Sequence, residues 1–451
     1  MKIALAVVLN AALLAILLPW LRRQWQWAST VGWQWVFAVG IGLRIAIGVG
    51  RSLPLKLDAQ FMSGVSNIVT ARLWAAPGSA WQLLTQSVTT FPTPFIGLIV
   101  YQNSSNTWTL IKLLALLNLA SLGTGWLNAL YLSLFTFAGC WRLARVVAMR
   151  FPGTPAGAGA VALLFWPAVW FWATGISKEA VLLGSGAWLT ARVLSWLYAE
   201  EPRAVEPAPP AARGWGWWAG TVALASLHVA MRYFFALPLL AVLVGLVVGR
   251  GLERLLPRRW AAAAGLVVVF GIGAWLGPEM SVAFRLNKFV NQVIRVYSFD
   301  VAQSVGRPHF EYPALRPTVG SIAAHAPQAV VNALTQPWLG QSRQPLYLAA
   351  GLENAVLLLL LALAGWALVR GRGGRLPFAV VLALSVFCVL LAFLIGITTP
   401  NLGSLHRYRS AMLPFLLLLL LQNDYIAAVL RRLRLRHRPK ANSLPEPTPN
   451  A

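Results

Sequence analysis

Four clusters of polar side chains interrupt a chain that consists largely of apolar segments. The first cluster holds one carboxylate, Asp58, within the run Leu55–Phe61. The other three hold cations, accompanied by one acidic and one phenolic side chain: Lys178 with Glu179, Arg232 with Tyr233, and His406 with Arg407 and Arg409. A carboxylate can accept a proton from a hydroxyl, and cations can stabilise a departing phosphate. We therefore take Asp58 as the candidate general base and the other seven residues as candidates for binding substrate and phosphate.

Each cluster also has a structural interpretation. Asp58 could cap a helix, and Ser177 followed by Glu179 is typical of a helix N-terminus. Lys178 does not fit that pattern, because a cation at the positive end of a helix is unfavourable unless an anion binds there. Arg232 could anchor the chain at a membrane surface or bind phosphate. Arginine suits phosphate particularly well, since its planar fork can donate two hydrogen bonds at once.

The composition indicates the structural class that must position these residues. Hydrophobic residues make up 58% of the 451 residues and charged ones 11%, with a mean hydropathy of +0.66. Soluble domains carry about a quarter charged residues. Uninterrupted apolar runs such as Val356–Leu368 indicate helices, because the strands of a membrane β-barrel alternate apolar and polar positions. The sequence predicts an all-α polytopic membrane protein of roughly 11–13 transmembrane helices.

The predicted spans follow from the apolar segments, since a helix needs about 20 such residues to cross a bilayer. The candidates are 2–20, 33–49, 93–102, 108–122, 125–142, 154–173, 179–198, 216–231, 233–249, 261–277, 346–369, 376–397 and 410–429. They form one transmembrane domain over 1–430. External loops are predicted at 50–92 and 278–345, the second of them partly helical with an amphipathic stretch near Phe284–Val296.

The distribution of arginine predicts the orientation. Basic clusters separate the apolar segments, as in cytoplasmic loops: Arg22–Arg23, Arg142 to Arg150, Arg250 to Arg259, Arg370 to Arg375 and the tail from Arg431. Strict alternation places all of them inside if 93–102 crosses the membrane. The linker Pro202–Arg213 and the basic, Pro-rich tail 431–451 are then cytoplasmic, and the four polar clusters are external. The predicted location is a cell membrane that the chain crosses many times, with the C-terminus in the cytoplasm.

The same distribution argues against other classes. The formal net charge of +25 is spread over short loops and no nucleic-acid recognition module accompanies it, so the expected partner of the surface is the lipid bilayer. Cys140 and Cys388 lie in apolar segments and are interpreted as buried free cysteines. No metal-ligand spacing or nucleotide-binding loop is present, so no cofactor is predicted, although a divalent metal stays open.

Several of these segments carry a resemblance to a known class. Asp58 in Leu57-Asp58-Ala59-Gln60, followed by the Trp-bearing stretch Ala71–Leu84, resembles the first external loop of the GT-C membrane glycosyltransferases. Asn128–Arg145 is similar to their third-helix region. The segments Trp166–Glu179 and His406–Phe415 are similar to bacterial membrane proteins of surface-polysaccharide synthesis. The paired acidic motif of the class is missing, because Ala59 and Gln60 follow Asp58.

The resemblance implies a glycosyltransferase of the bacterial inner membrane that moves a sugar from a polyprenyl-phosphate donor to a saccharide or lipid acceptor on the external face. Its expected process is the assembly of an envelope polysaccharide or glycolipid. An O-antigen-type polymerase or ligase is the alternative, in which the 278–345 loop and the Arg and His residues would matter more than Asp58. A lipid or solute transporter is a third possibility, but it would require more polar groups within the helices than this sequence has.

Overall fold

The structure is a computed structural model. It describes residues 1–53, 55, 57–86, 88–93, 97–102, 105–155, 157–199 and 214–432. The predicted linker at 202–213 and the predicted tail from residue 433 onward lie outside the described residues. The described chain is predominantly α-helical, as the composition predicts.

The first part of the chain forms two long helices followed by shorter elements. These are α1 (Lys2–Val31), α2 (Gln34–Gly50), α3 (Leu57–Ala75), α4 (Pro77–Thr85), β1 (Val88–Thr93), β2 (Gly97–Gln102) and α5 (Asn106–Ser121). α1 runs past its predicted end at residue 20, because nothing stops it before Gly32, which caps the helix at a φ of 75°. The prediction that 93–102 crosses the membrane is wrong. Thr93 and Gly97–Gln102 belong to two paired antiparallel strands in which Val88 lies opposite Gln102, and an isolated pair of strands leaves unpaired edges that a bilayer does not tolerate.

The middle of the chain contains the most tightly packed helices. Its elements are α6 (Gly125–Arg150), α7 (Ala158–Ala160), a π-helical turn (Val161–Phe165), α8 (Pro167–Trp172), α9 (Lys178–Leu197), α10 (Trp215–Met231), α11 (Tyr233–Leu252) and α12 (Arg258–Met280). α6 and α9 approach so closely that Gly139 has no room for a Cβ against the backbone of Gly184. Thr136 of α6 also donates to the carbonyl of Ala180 over 2.8 Å, which fixes the first turn of α9.

The predicted span 154–173 is broken rather than continuous. Pro167 has no N–H, so the carbonyl of Leu163, four residues earlier, loses its helical donor. Arg44 of α2 replaces that donor, with its Nη2 2.7 Å from the Leu163 oxygen. Its Nη1 lies 2.8 Å from the oxygen of Ala173, at the other end of the break. A fully buried guanidinium thus satisfies the carbonyls that the interruption leaves free.

The last part of the chain contains the predicted external segment and the final helices. Its elements are a 3₁₀ turn (Val282–Phe284), α13 (Leu286–Ala302), α14 (Val319–Thr335), α15 (Pro345–Val369), α16 (Phe378–Thr398), α17 (Leu402–Arg409), α18 (Leu413–Leu420) and α19 (Asp424–Arg432). The amphipathic stretch predicted near 284–296 is α13. The predicted span 410–429 is not one helix, because α18 and α19 meet at a bend of 98°.

Among the described residues, seven helices are long and apolar enough to cross a membrane, or eight if the bent pair α18 and α19 counts as one span. The seven are α1, α6, α9, α11, α12, α15 and α16. The prediction of roughly 11–13 spans is higher than this number. Two of the predicted spans, α2 and α10, have only 17 residues each, and a third, the segment that contains α8, is broken. The architecture is that of a multi-pass α-helical membrane protein.

The basic clusters meet at one end of the helix bundle, which we call the basic end. Gln24 of α1 accepts a hydrogen bond from Arg145, and Arg250 lies over the ring of Tyr198. Arg375 packs on Gly153. α5, the predicted span at 108–122, has 16 residues and is not among the helices long enough to cross a membrane. Its first residue accepts a hydrogen bond from Lys178 at the start of α9, and its Asn118 bonds to Asn128 near the start of α6.

Candidate functional site

The four polar clusters come together at the opposite end of the bundle, which we call the site end. Their positions follow from helix termini. Ser177 caps α9 as predicted by accepting a hydrogen bond from the N–H of Ala180 over 3.1 Å, which places Lys178 and Glu179 in the first turn. Asn401 caps α17 by accepting from two backbone N–H groups, and so orients the helix that carries Arg407.

Arg407 is the centre of the site. Its Nη1 lies 3.2 Å from Oδ2 of Asp58, and its Nη2 lies 3.1 Å from Oε2 of Glu179. The nearby Glu179 carboxylate raises the pKa of Arg407 above its ordinary value. The two carboxylates differ sharply in environment, since the side chain of Asp58 is 74% exposed and that of Glu179 only 1%. The guanidinium of Arg407 therefore forms one ion pair with an exposed carboxylate and one with a buried carboxylate.

Arg232 approaches the same buried carboxylate from the junction of α10 and α11. Its Nη2 lies 3.7 Å from Oε1 of Glu179, and its guanidinium stacks 3.8 Å from the ring centre of Tyr408. Two arginines therefore lie beside the buried carboxylate of Glu179, which positions them for a ligand. The role of Glu179 itself in binding substrate stays a prediction.

Lys178 extends from the first turn of α9 towards α5. Its Nζ donates to Oδ1 of Asn106 over 2.9 Å and to Oγ1 of Thr107 over 2.7 Å. These partners are uncharged, so they orient the ammonium without neutralising it. Arg51 adds a further cation, which donates to the carbonyl of Phe171 and lies over the rings of Phe171 and Trp172. Burial, followed by the nearby Arg407, lowers the pKa of Arg51.

The site carries an excess of positive charge. Four cations, on Arg51, Lys178, Arg232 and Arg407, face two carboxylates, on Asp58 and Glu179. An excess of two positive charges in a partly buried position favours an anion of similar charge, because the low dielectric strengthens each interaction. A phosphate group meets that requirement.

His406 and Arg409 are buried beneath the other site residues, so their predicted roles in phosphate binding stay predictions. His406 accepts a hydrogen bond from Nε1 of Trp172 over 2.9 Å, and its Nε2 lies 3.5 Å from Glu353. Burial lowers the pKa of His406. Arg409 is fully buried and donates to the carbonyl of Gln336 and to Oδ1 of Asn354. Because successive side chains of α17 point in different directions, Arg407 contacts Asp58 and Glu179, whereas His406 and Arg409 contact buried groups.

Tyr233 lines an open cavity of about 1050 Å³ next to the charged residues. The cavity lies between the start of α11, the start of α5 and one face of α13, and Ser105 and Lys288 are on its wall. Tyr233 follows Arg232 in sequence, and Ser105 precedes the Asn106 that holds Lys178. The cavity wall therefore includes the residues that adjoin Arg232 and Asn106 in sequence.

Sequence reasoning missed Arg44 and Arg51, although both gave a signal. Arg44 is a charged residue inside a predicted span, and such residues pair within the bundle. Arg51 follows the same span on the predicted external side, where cations are disfavoured, as they are for Arg407. The described residues contain no group of three or more His, Cys, Asp or Glu side chains that could hold a metal ion. Cys140 and Cys388 are buried and free, as predicted.

Comparison of the chain with protein-family models, with curated proteins and with solved structures gives no match. The fold and the site define a multi-pass helical membrane protein with a cation-rich polar site at one end of its bundle.

Proposed function

We propose that the protein is a membrane glycosyltransferase of the GT-C type that uses a polyprenyl-phosphate sugar as donor. The observation that carries the proposal is the position of Arg407 between the exposed carboxylate of Asp58 and the buried carboxylate of Glu179. This arrangement puts a potential base and a potential phosphate ligand in direct contact, although they are 349 residues apart in sequence.

The residues divide the reaction between them. The acceptor hydroxyl gives its proton to Asp58 as its oxygen attacks the anomeric carbon of the sugar. The bond from that carbon to the phosphate oxygen breaks, and polyprenyl phosphate leaves with the bonding electron pair. Arg407, Arg232 and Lys178 stabilise the charge that develops on this phosphate. Glu179 keeps the two arginines in place.

The location of the site supports an external reaction. The basic clusters lie at the basic end and the site at the other, and basic loops are retained in the cytoplasm. A site on the external face of a bacterial inner membrane would meet lipid-linked sugars that have already crossed the membrane. Assembly of an envelope polysaccharide or glycolipid is the process that this placement suits.

The test is sugar transfer by purified protein reconstituted in lipid, with Asp58→Asn compared with wild type. The amide keeps the shape of the side chain but cannot take the proton, so we expect transfer to fall by about 100-fold or more while donor binding changes little. Asp424→Asn is the matched control, because it makes the same change from carboxylate to amide at an exposed position in the first turn of α19, and it should leave transfer unchanged. Full turnover of Asp58→Asn would refute the assignment and favour a polymerase or ligase that depends on the 278–345 segment.

A further inference from the structure

One face of α13 carries the unassigned polar groups of the cavity. Lys288, Gln292 and Arg295 line it, and their spacing puts them on one side of the helix. The opposite side packs into a separate apolar cluster through Val290 and Val293. α13 is therefore held by its apolar face, and its cationic face is turned into the cavity.

These two cations differ from those of the site in their partners. In the part of the chain that the structure describes, the side chains of Lys288 and Arg295 have no ion pair and no hydrogen bond. The described residues that line the cavity include no carboxylate; the remaining polar groups are amides and hydroxyls, on Asn291, Gln292, Ser105 and the tyrosines. The cavity thus presents two uncompensated positive charges with neutral hydrogen-bonding groups around them. Phosphate and sugar hydroxyls match these groups.

The surroundings of the cavity are apolar and exposed. α12, one of the helices able to cross a membrane, ends at Met280, and a 3₁₀ turn leads directly into α13. Met280 is 80% exposed, Leu286 60% and Phe299, which lines the cavity, 67%. Apolar side chains beside the end of a span are positioned to contact lipid chains. A ligand with a polar head in the cavity could therefore keep an apolar chain in the bilayer.

The size of the cavity argues for a second ligand. Pockets for a drug-sized molecule measure about 300–1,000 Å³, and this one measures about 1050 Å³ beside a site that already provides cations for the donor phosphate. The donor alone would leave Lys288 and Arg295 without an anion.

We propose that the cavity along α13 binds the acceptor, and that this acceptor is a saccharide linked to its own lipid through phosphate. The proposal rests on the proposed function and specifies its second substrate. The protein then binds two lipid-linked phosphates side by side, one at Arg407 and one at Lys288 and Arg295. The acceptor hydroxyl would reach Asp58 from the cavity, while its phosphate stays on α13.

The experiment counts lipid phosphates. Radiolabelled geranylgeranyl phosphate is titrated into full-length protein in phosphatidylcholine nanodiscs, and the number bound per chain is measured at saturation. We expect two molecules for wild type, one for Arg407→Ala, and one for the double variant Lys288→Gln with Arg295→Gln. At the α13 position, loss of both cations should weaken binding by about 100-fold, roughly tenfold for each charge-assisted contact.

The matched control is Arg285→Gln with Arg316→Gln, which removes two exposed positive charges from the same external segment but none from the cavity wall. It should bind two molecules. Equal loss in this control would show that bulk charge attracts the lipid, and would overturn the proposal. Wild type could instead bind one molecule, and both Arg407→Ala and the α13 double variant could abolish its binding. That result would mean a single ligand, which overturns the second site but leaves the proposed function standing. Unchanged binding by the α13 variant also overturns the second site, whereas unchanged binding by Arg407→Ala counts against the proposed function itself.

Discussion

The two ends of the helix bundle are both rich in arginine, but the arginines differ in how far they and their carboxylate partners are exposed to solvent. At the site end, Arg232 and Arg407 are 12% and 23% exposed, and both lie beside the fully enclosed carboxylate of Glu179. At the basic end, Glu253 is 20% exposed and pairs with Arg250 over 2.5 Å and with Arg258 over 3.9 Å, and these two arginines are 34% and 86% exposed. Burial with a counter-charge costs desolvation energy that a solvated loop avoids, so the cations of the site end are held at a higher energetic cost.

The difference also shows where sequence rules apply. Counting cations along the chain identifies both ends equally well, because it registers charge and not environment. Only the environment distinguishes a cation that orients the protein in the membrane from one that is held ready for a ligand.

The largest difference between the two ends is expected when the acidic partner of the arginines is removed at each end. Glu179→Gln leaves two arginines near a neutral amide, and we expect the free energy of unfolding in detergent to fall towards the lower end of about 3–5 kcal/mol, since both arginines keep some solvent contact. Glu253→Gln, the matched change at the basic end, should cost about 0–1 kcal/mol. Chemical denaturation of both variants measures the two values. Equal losses would mean that the two ends do not differ energetically.

A second prediction concerns binding. Arg407→Ala removes a charge-assisted contact to phosphate and should weaken donor affinity by about 1.5–3 kcal/mol. Arg407→Lys should restore only part of it, because an ammonium cannot form the two parallel hydrogen bonds of a guanidinium. Arg250→Ala at the basic end is the control and should leave affinity unchanged. Equilibrium binding of the donor to reconstituted protein tests all three, and intact affinity in Arg407→Ala would make the site cations membrane anchors.

The third prediction concerns the orientation of the protein in the membrane and involves no change in stability or affinity. Val305 and Leu255 are 81% and 80% exposed, and they lie in the segment 278–345, which is predicted to be external, and in the turn after α11. In intact cells an impermeant maleimide should label Val305→Cys and not Leu255→Cys. Background should be low because Cys140 and Cys388 are buried. The reverse pattern would invert the protein and remove the external site.

Much of the fold could be predicted because its signals are local. Continuous apolar runs predict helices, and ten of the thirteen predicted segments correspond to single helices in the structure. The exceptions have local causes that the apolar content hides. Thr93 and Gly97–Gln102 lie in paired strands, Pro167 interrupts 154–173, and the last segment bends after α18. Hydropathy averages over such features, because a window registers the polarity of residues and not where their hydrogen bonds are satisfied.

The candidate site was only partly predictable, for a different reason. The sequence determined that Asp58, Lys178, Arg232 and Arg407 stand beside apolar segments, since a charged residue outside the basic loops is conspicuous along an apolar chain. Tertiary structure alone decided which of them meet. Arg407 and Arg409 are two residues apart, yet the turn of α17 sends one to Asp58 and the other to buried carbonyls. Side-chain direction on a helix turns by about 100° per residue, so only packing against neighbouring helices determines which residue becomes part of a site and which supports it.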